Sequence, residues 1–452
     1  MTTTNSPRPS GPSGMRAFTL VWFGQFISLT GSAMTQFALT IWAYQLTGEA
    51  TALALAAFFN FAPAVLLSPI AGALVDRWNR KLVMMFSDLG AGISTIALFL
   101  LYITGNMQIW HIYAAGFFAG LFQSFQFPAY SASISLMLPK AQYGRAQGML
   151  ALAEAGSGIL APVFAGALLA TIGVGGVMLI DIVTFTFAVG ALTIIYVPQP
   201  PQRPPHEAPT SLWQDIMLGF RYIGERRSLL GLLLIFLAAN FSFNLGNTLL
   251  APMILARSGN DEFALAAVQS LGAVGGVLGG IILTIWGGPK RRIHGVLVGL
   301  ILEGGIRVVL LAVGRTVLAW SAANFVGLFV GTILNASSQA IWQSKVAPEV
   351  QGRVFATRRL IAQITAPLAM LLAGPLADRV FEPAMQPNGA LVGVFGALVG
   401  VGAGAGIAVM ILLTSAAEAA IGVVGYATPA VRHIETILPD HQEHTAIVTP
   451  AN

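Results

Sequence analysis

Apolar residues run along this chain in long blocks, and short polar breaks divide the blocks at a regular interval. A bilayer core of about 30 Å takes roughly 20 helical residues to cross. On that scale the pattern predicts twelve spans. The first six fall at about 17–44, 51–75, 82–104, 110–137, 146–171 and 176–197. The second six fall at about 229–256, 262–288, 294–313, 317–343, 354–380 and 389–414. The fold class expected is an all-α integral membrane protein of two six-helix halves. The block opening at Ala17 is longer than the roughly 7–15 apolar residues of a cleavable signal. It is therefore read as a retained first span behind a polar tail, residues 1–16.

The longest polar interruption, 198–228, divides the chain into an N-terminal bundle, 17–197, and a C-terminal bundle, 229–415. Six prolines between Pro198 and Pro209 predict an extended lead into the second half. Leu212, Ile216, Phe220 and Ile223 then recur at helical spacing, which predicts a short amphipathic helix on the membrane surface. Residues 416–452 carry His433, Glu435, Asp440, Glu443 and His444 without periodicity, and are expected to be a disordered tail.

Composition agrees with a lipid-facing protein. Only 9% of the residues are charged and 56% are hydrophobic, against roughly 25% charged in a soluble domain. Mean hydropathy is +0.76 and the pI is about 9.7. Nineteen of the 23 bases fall in alternate connections and the two tails, all on one face of a twelve-span topology. Basic residues accumulate on the cytoplasmic side. This places both termini and the linker in the cytoplasm, and it reads the high pI as topology rather than as a nucleic-acid surface. The absence of cysteine excludes disulfides and thiolate metal sites. There is no G-x-x-x-x-G-K-[ST] phosphate loop, no H-E-x-x-H and no G-x-S-x-G. Neither ATP as an energy source nor a catalytic cofactor is expected.

The two halves echo one another. Pro139-Lys140-Ala141-Gln142-Tyr143-Gly144-Arg145 precedes the fifth span, and Pro348-Glu349-Val350-Gln351-Gly352-Arg353 precedes the eleventh. Ala161-Pro162 and Ala366-Pro367 then lie inside the helices that follow. Such a repeat predicts a duplicated transporter. The polar turn Gly72-Ala73-Leu74-Val75-Asp76-Arg77-Trp78-Asn79-Arg80-Lys81 resembles the loop between spans two and three of the major facilitator superfamily, of the form G-x-L-a-D-R-x-G-R-[RK]. Asn79 stands where that form has its second glycine, and is read as a residue that tolerates a left-handed turn. Trp22, Gln25, Gly31-Ser32, Trp42, Tyr44 and Thr47-Gly48 resemble the drug:proton antiporter-3 and macrolide-efflux branch. Gly158, Pro162 and Gly166 are similar to the antiporter motif G-x-x-x-G-P-x-x-G-G, with Ala161 and Ala165 replacing two glycines.

The resemblance implies a conformational switch of Gly72, Asp76, Arg77, Arg80 and Lys81. In it Asp76 meets the start of span eleven, where Arg358 and Arg359 stand. It also implies that spans one, four, seven and ten line a central cavity. Gln25, Gln123, Gln126, Asn240, Asn244, Asn335 and Gln339 would then face a substrate, or else bond between helices. Intramembrane acids are costly and tend to be functional. Glu154 and Asp181 are therefore candidate proton carriers. Glu303 and Arg307, four apart on one face of span nine, are either a self-neutralising pair or part of the coupling. Asp88, close to the basic turn, is expected to pair with its cations.

The expected activity is export of a small amphipathic compound by proton antiport, by a monomer in the cell membrane. The compound would be a drug, a macrolide-like antibiotic or a siderophore. Uptake or uniport through the same fold, a receptor on a transporter scaffold and a lipid-handling enzyme remain as alternatives. The last would need a catalytic cluster that is not visible.

Overall fold

A computed structural model describes residues 14–75, 78–139, 142–195, 212–346 and 348–439, and those residues form helices and connecting turns without a strand. In lipid a chain must satisfy its own backbone hydrogen bonds, and only helices and closed barrels do so. The first half comprises α1 (Gly14–Thr47), α2 (Ala50–Val75), α3 (Arg80–Ile103), α4 (Ile109–Met137) and α5 (Tyr143–Ile194). At 52 residues, α5 is more than twice the length a bilayer needs. It breaks at Gly173, whose φ of 66° and ψ of −177° lie in a region open essentially to glycine alone. Both arms lie against α1. Gly156 of the first arm faces Phe26, and Asp181 and Thr184 of the second face Gly31. The chain thus turns back at Gly173, and α5 supplies spans five and six.

The linker contributes α6 (Leu212–Gly224). Beyond its last turn, Glu225 lies 2.8 Å from Arg221 Nε and raises that guanidinium above its ordinary pKa. Span seven is α7 (Arg227–Thr248) continued by α8 (Leu250–Ser258), and span eight is α9 (Glu262–Trp286). Span nine is α10 (Arg292–Ile306), running into a π-helical segment, Arg307–Ala312. Span ten is α11 (Val317–Lys345). Span eleven is α12 (Pro348–Leu376), followed by a second π segment, Ala377–Phe381, and the single turn α13 (Glu382–Ala384).

The last span departs from expectation. The apolar run at 389–414 is not one helix: it holds the short α14 (Val392–Val399) and only the first turns of the helix that follows. The membrane-length helix is α15 (Ala405–Ala427). Gly400, Gly402 and Gly404 all have positive φ and break the run, a conformational event that hydropathy does not register. The C-terminal bundle therefore continues past the expected boundary at 415, and residues 416–439 are not a loose tail. Helices α16 (Pro429–Arg432) and α17 (Ile434–Ile437) follow, with Val431 and Ile434 fully buried. The Glu435 carboxylate accepts from the amides of Arg292 and Ile293 at 3.2 and 3.1 Å, capping α10.

Three apolar cores hold the bundle, and their placement sets its shape. One is shared by both halves. It joins Met34, Phe37, Ile41 and Leu53 to Ile254, Leu265, Ala373 and Ile407, at the far end, where α2 begins. At the linker end, where α2 ends, the cores are separate. The first half packs Phe18, Val75, Met84 and Leu192. The second packs Leu229, Leu297, Trp342 and Ile434. Among the described residues, the halves share one buried core at the far end and have a core each at the linker end.

The break at Gly173 yields a direct test. A Cβ there would meet nothing within 4 Å, so Gly173→Ala should cost about 1–3 kcal/mol from backbone conformation alone. A lower unfolding temperature in detergent would read this out. Gly190→Ala, equally unobstructed but helical, should be neutral or stabilising.

Candidate functional site: intramembrane polar clusters and the contact between halves

Two carboxylates of the first half, Asp88 and Asp181, are held by polar side chains of neighbouring helices. Asp88 of α3 accepts from Gln25 Nε2 at 2.7 Å and from Gln126 Nε2 at 2.9 Å. Gln126 also donates to Gln25 Oε1 at 3.0 Å. Two of the expected cavity amides are thus spent on this acid. Asp88 is partnered by amides from spans one and four, not by the cations of the basic turn as expected. A second cluster centres on Asp181, which accepts from Ser32 at 2.9 Å and Thr95 at 3.1 Å and is buried. Glu154, on the first arm of α5, is exposed and stands apart from both clusters.

The basic turn is only partly described. Asp76 and Arg77 lie outside the described residues, as do the surroundings of Gly72. Asn79 is extended (φ −66°, ψ 110°) and its side chain caps α3 by accepting from Leu82 N. It serves as an N-cap, not as the left-handed residue expected, and a lone Asn before a helix is a known capping signal. Arg80 is buried in the first turn of α3. Lys81 Nζ donates to the carbonyls of Thr193 and Ile195 at 3.1 and 2.7 Å, satisfying the end of span six. Arg358 donates to Gln339 Oε1 at 2.7 Å and Ser338 Oγ at 3.1 Å, which docks it on α11 within its own half. Arg359 is exposed.

The remaining cavity amides diverge. Asn244 reaches Thr365 at 3.4 Å, a long bond. Asn335 donates back to Gly331 in its own helix at 2.9 Å. Gln123 is exposed and Asn240 half-buried. An apolar groove of about 610 Å³ between α1 and the second arm of α5 is lined by Leu20, Val183, Phe187 and Ile194. It opens outward among exposed side chains and offers a ligand little polar purchase.

The halves meet at the far end through two helix pairs. In the first, Pro162 and Gly166 of α5 face α9. The Ser270 hydroxyl donates to Ile159 O at 3.1 Å, and a Cβ at Gly166 would stand 3.0 Å from that of Ala266. Gly158 looks more loosely toward Ala273, 3.6 Å from a Cβ placed there. In the second, Asp378 of span eleven caps α2. It accepts from the amides of Ala50 and Thr51 at 3.0 and 2.7 Å, and also from the Thr51 hydroxyl. Close approach at this contact requires Gly374, since a Cβ there would stand 2.4 Å from Thr51 Cα. Asp378 was not singled out in the sequence because its role depends on a residue more than 300 positions away.

One further acid was missed. Glu418 falls in the region expected to be a tail, yet α15 carries it into the membrane, where it is 2% exposed. It lies within electrostatic range of Glu303 and Arg307.

Two bundles that meet through α5–α9 and α2–α12, with buried acids inside them, have the build of a helical membrane transporter. The Major Facilitator Superfamily matches residues 21–370, and the chain belongs to that superfamily. The chain is 24% identical over 370 residues to Macrolide efflux protein A of Streptococcus pyogenes, covering 80% of this chain and 90% of that protein. It is 24% identical over 367 residues to the Multidrug efflux pump Tap of Mycolicibacterium fortuitum, covering 79% and 88%. It is 27% identical over 218 residues to the Enterobactin exporter EntS of Shigella flexneri, covering 48% and 52%. Among solved structures, a bacterial homologue of the human lysosomal transporter Spinster in an inward-facing conformation superposes with a TM-score of 0.66 at 14% identity, over 91% of this chain and 96% of that one. The nucleoside transporter NupG superposes with a TM-score of 0.69 at 13% identity, over 91% and 99%.

The cap on α2 predicts a measurable coupling between the halves. Removing an N-cap acceptor costs about 1 kcal/mol, roughly a five-fold change in an opening equilibrium. The chain has no cysteine, so Ala54→Cys, buried beside Gly374, reports on this contact alone. Asp378→Ala should raise its maleimide labelling about five-fold. Unchanged labelling would show that the cap does not hold the halves together.

Proposed function

We propose that this transporter exports a small amphipathic compound by proton antiport with alternating access. The compound is a drug, a macrolide-like antibiotic or a siderophore. One observation carries the reading: among the described residues, the halves share a core at the far end and have separate cores at the linker end. A bundle welded at one end and split at the other is what rocking of two rigid halves requires. With the linker and both termini in the cytoplasm, as the basic residues argue, this arrangement is inward-open. The efflux names of three relatives support the export direction and the amphipathic class of cargo.

Each end then has its own latch. At the far end Asp378 caps α2 while the inner side is open. At the linker end Asp76 engages the start of span eleven when the inner side closes. The same two helices thus meet at opposite ends in opposite states, Asp378 on the amides of α2 and Asp76 at the start of span eleven, where Arg358 and Arg359 stand. The energy source is the proton gradient, and the first-half carriers are Asp181 and Glu154. Asp181 is buried and hydrogen-bonded, whereas Glu154 is exposed.

Cells expressing the chain should accumulate less erythromycin than controls, and an uncoupler should abolish the difference. Asp76→Asn should stop efflux while leaving erythromycin binding to the purified protein intact. Loss of binding in a folded variant would overturn the latch role. Proton release on erythromycin addition should disappear in Glu154→Gln or in Asp181→Asn. Binding without release in the wild type would overturn antiport.

A further inference from the structure

The second half contains a charge arrangement that its own residues leave unbalanced. Glu303 is 5% exposed, Arg307 is 4% and Glu418 is 2%, so all three have left water. Glu303 stands eleven residues past the start of α10, and Glu418 nine residues before the end of α15. At 1.5 Å per residue these are depths of about 17 and 14 Å, near the middle of a core of about 30 Å. Close packing brings the two helices together, since a Cβ at Gly304 would stand 2.5 Å from Ser415 O.

Among the described residues, the surroundings supply no second cation. The Glu303 carboxylate lies over the bare backbone of α11, its Oε2 being 3.5 Å from where a Cβ at Gly331 would stand. The Arg307 guanidinium stacks 4.8 Å from the Phe243 ring of α7. Arg307 Nε and Glu418 Oε2 have no hydrogen-bond partner among the described residues. The other ionisable groups on the packed elements are remote or engaged. His294 and Tyr426 bond to each other at 2.8 Å, and each is eight or more residues along its helix from the cluster. Glu435 caps α10, and Lys345 is held by the carbonyls of Glu435 and Leu438. Arg227, Arg292, Arg432 and His433 lie at the linker end of the same bundle.

Arginine cannot give up its proton in a protein, and an isolated ion buried in low dielectric is prohibitively costly. Two carboxylates and one guanidinium reach neutrality only when one carboxyl is protonated. We propose that Glu303, Arg307 and Glu418 form a binding site for a single exchangeable proton, shared between the two carboxyls. The proton leaves one Glu oxygen for water or for the other Glu, and the guanidinium balances the carboxylate that remains. Its use as a coupling proton rests on the antiport reading above. In that role Phe243 provides the link to cargo, because it belongs to the helix that carries Asn240 and Asn244.

Infrared titration of the purified, lipid-reconstituted protein reads this proton without any cargo. The carbonyl stretch of a protonated carboxylic acid should be present in the wild type at neutral pH and shift in heavy water. Glu418→Gln and Glu303→Gln each leave one acid opposite one guanidinium, so each should lose one protonated carboxyl. Arg307→Met, a variant that removes the balancing charge, should gain one. Spectra of both Gln variants superposing on the wild type would overturn the site, whether or not the protein moves erythromycin. Failure of erythromycin efflux by the wild type would overturn the export reading and leave the infrared result standing. Each Gln variant replaces one protonated carboxyl by a neutral amide of similar shape, so it should unfold close to the wild-type temperature, which keeps the spectra interpretable.

Discussion

The first turn of every helix presents amides that no residue of that helix can satisfy, and within or beside a membrane such orphans are expensive. Three of these turns are completed by acids from distant parts of the chain. Asp378 completes α2, Glu382 accepts from Gly404 and Ile407 at the start of α15, and Glu435 completes α10. The N-terminal positive end of each helix dipole favours the same partner. The Asp378 contact differs from the others because it crosses between halves. Opening the bundle there means unsatisfying those amides, so a local hydrogen-bonding rule becomes a constraint on global motion.

Apolar packing reinforces the asymmetry. Lipid tails are as apolar as Leu, so burial gives little drive for helices to associate within the membrane, and close contact falls to small residues. Gly374 against Thr51 and Gly166 against Ala266 are contacts of that kind. Both sit at the far end, beside the carboxylate cap and the Ser270 hydroxyl. The linker end instead relies on packing within each half, aided by Lys81 in the first and Lys345 in the second. Each of these lysines neutralises the carbonyl end of a neighbouring segment.

Hydrophobic blocks made the spans legible because their length is fixed by the bilayer, and the basic turn was legible because charge there is rare. What sequence reasoning missed was conformational or long-range. The glycines at 400, 402 and 404 break an apolar run without changing its hydropathy, and this one misplacement hid Glu418. Asp88 was assigned to cations by proximity in sequence, whereas amides from spans one and four reach it first. Asn79 carried a readable capping signal that was read instead as a turn residue. Asp378 offered no local signal, since its partners are the backbone amides of another half.

A bundle joined only near one extremity behaves as a lever. If the halves turn about the Gly374 contact by about 15°, as rigid bodies in switching proteins do, points about 30 Å away travel roughly 8 Å. Sub-ångström tightening beneath Thr51 is therefore magnified into an aperture at the opposite mouth. In such a swing the stiffness of that small fulcrum, more than the chemistry of the mouth, would set how far the mouth opens.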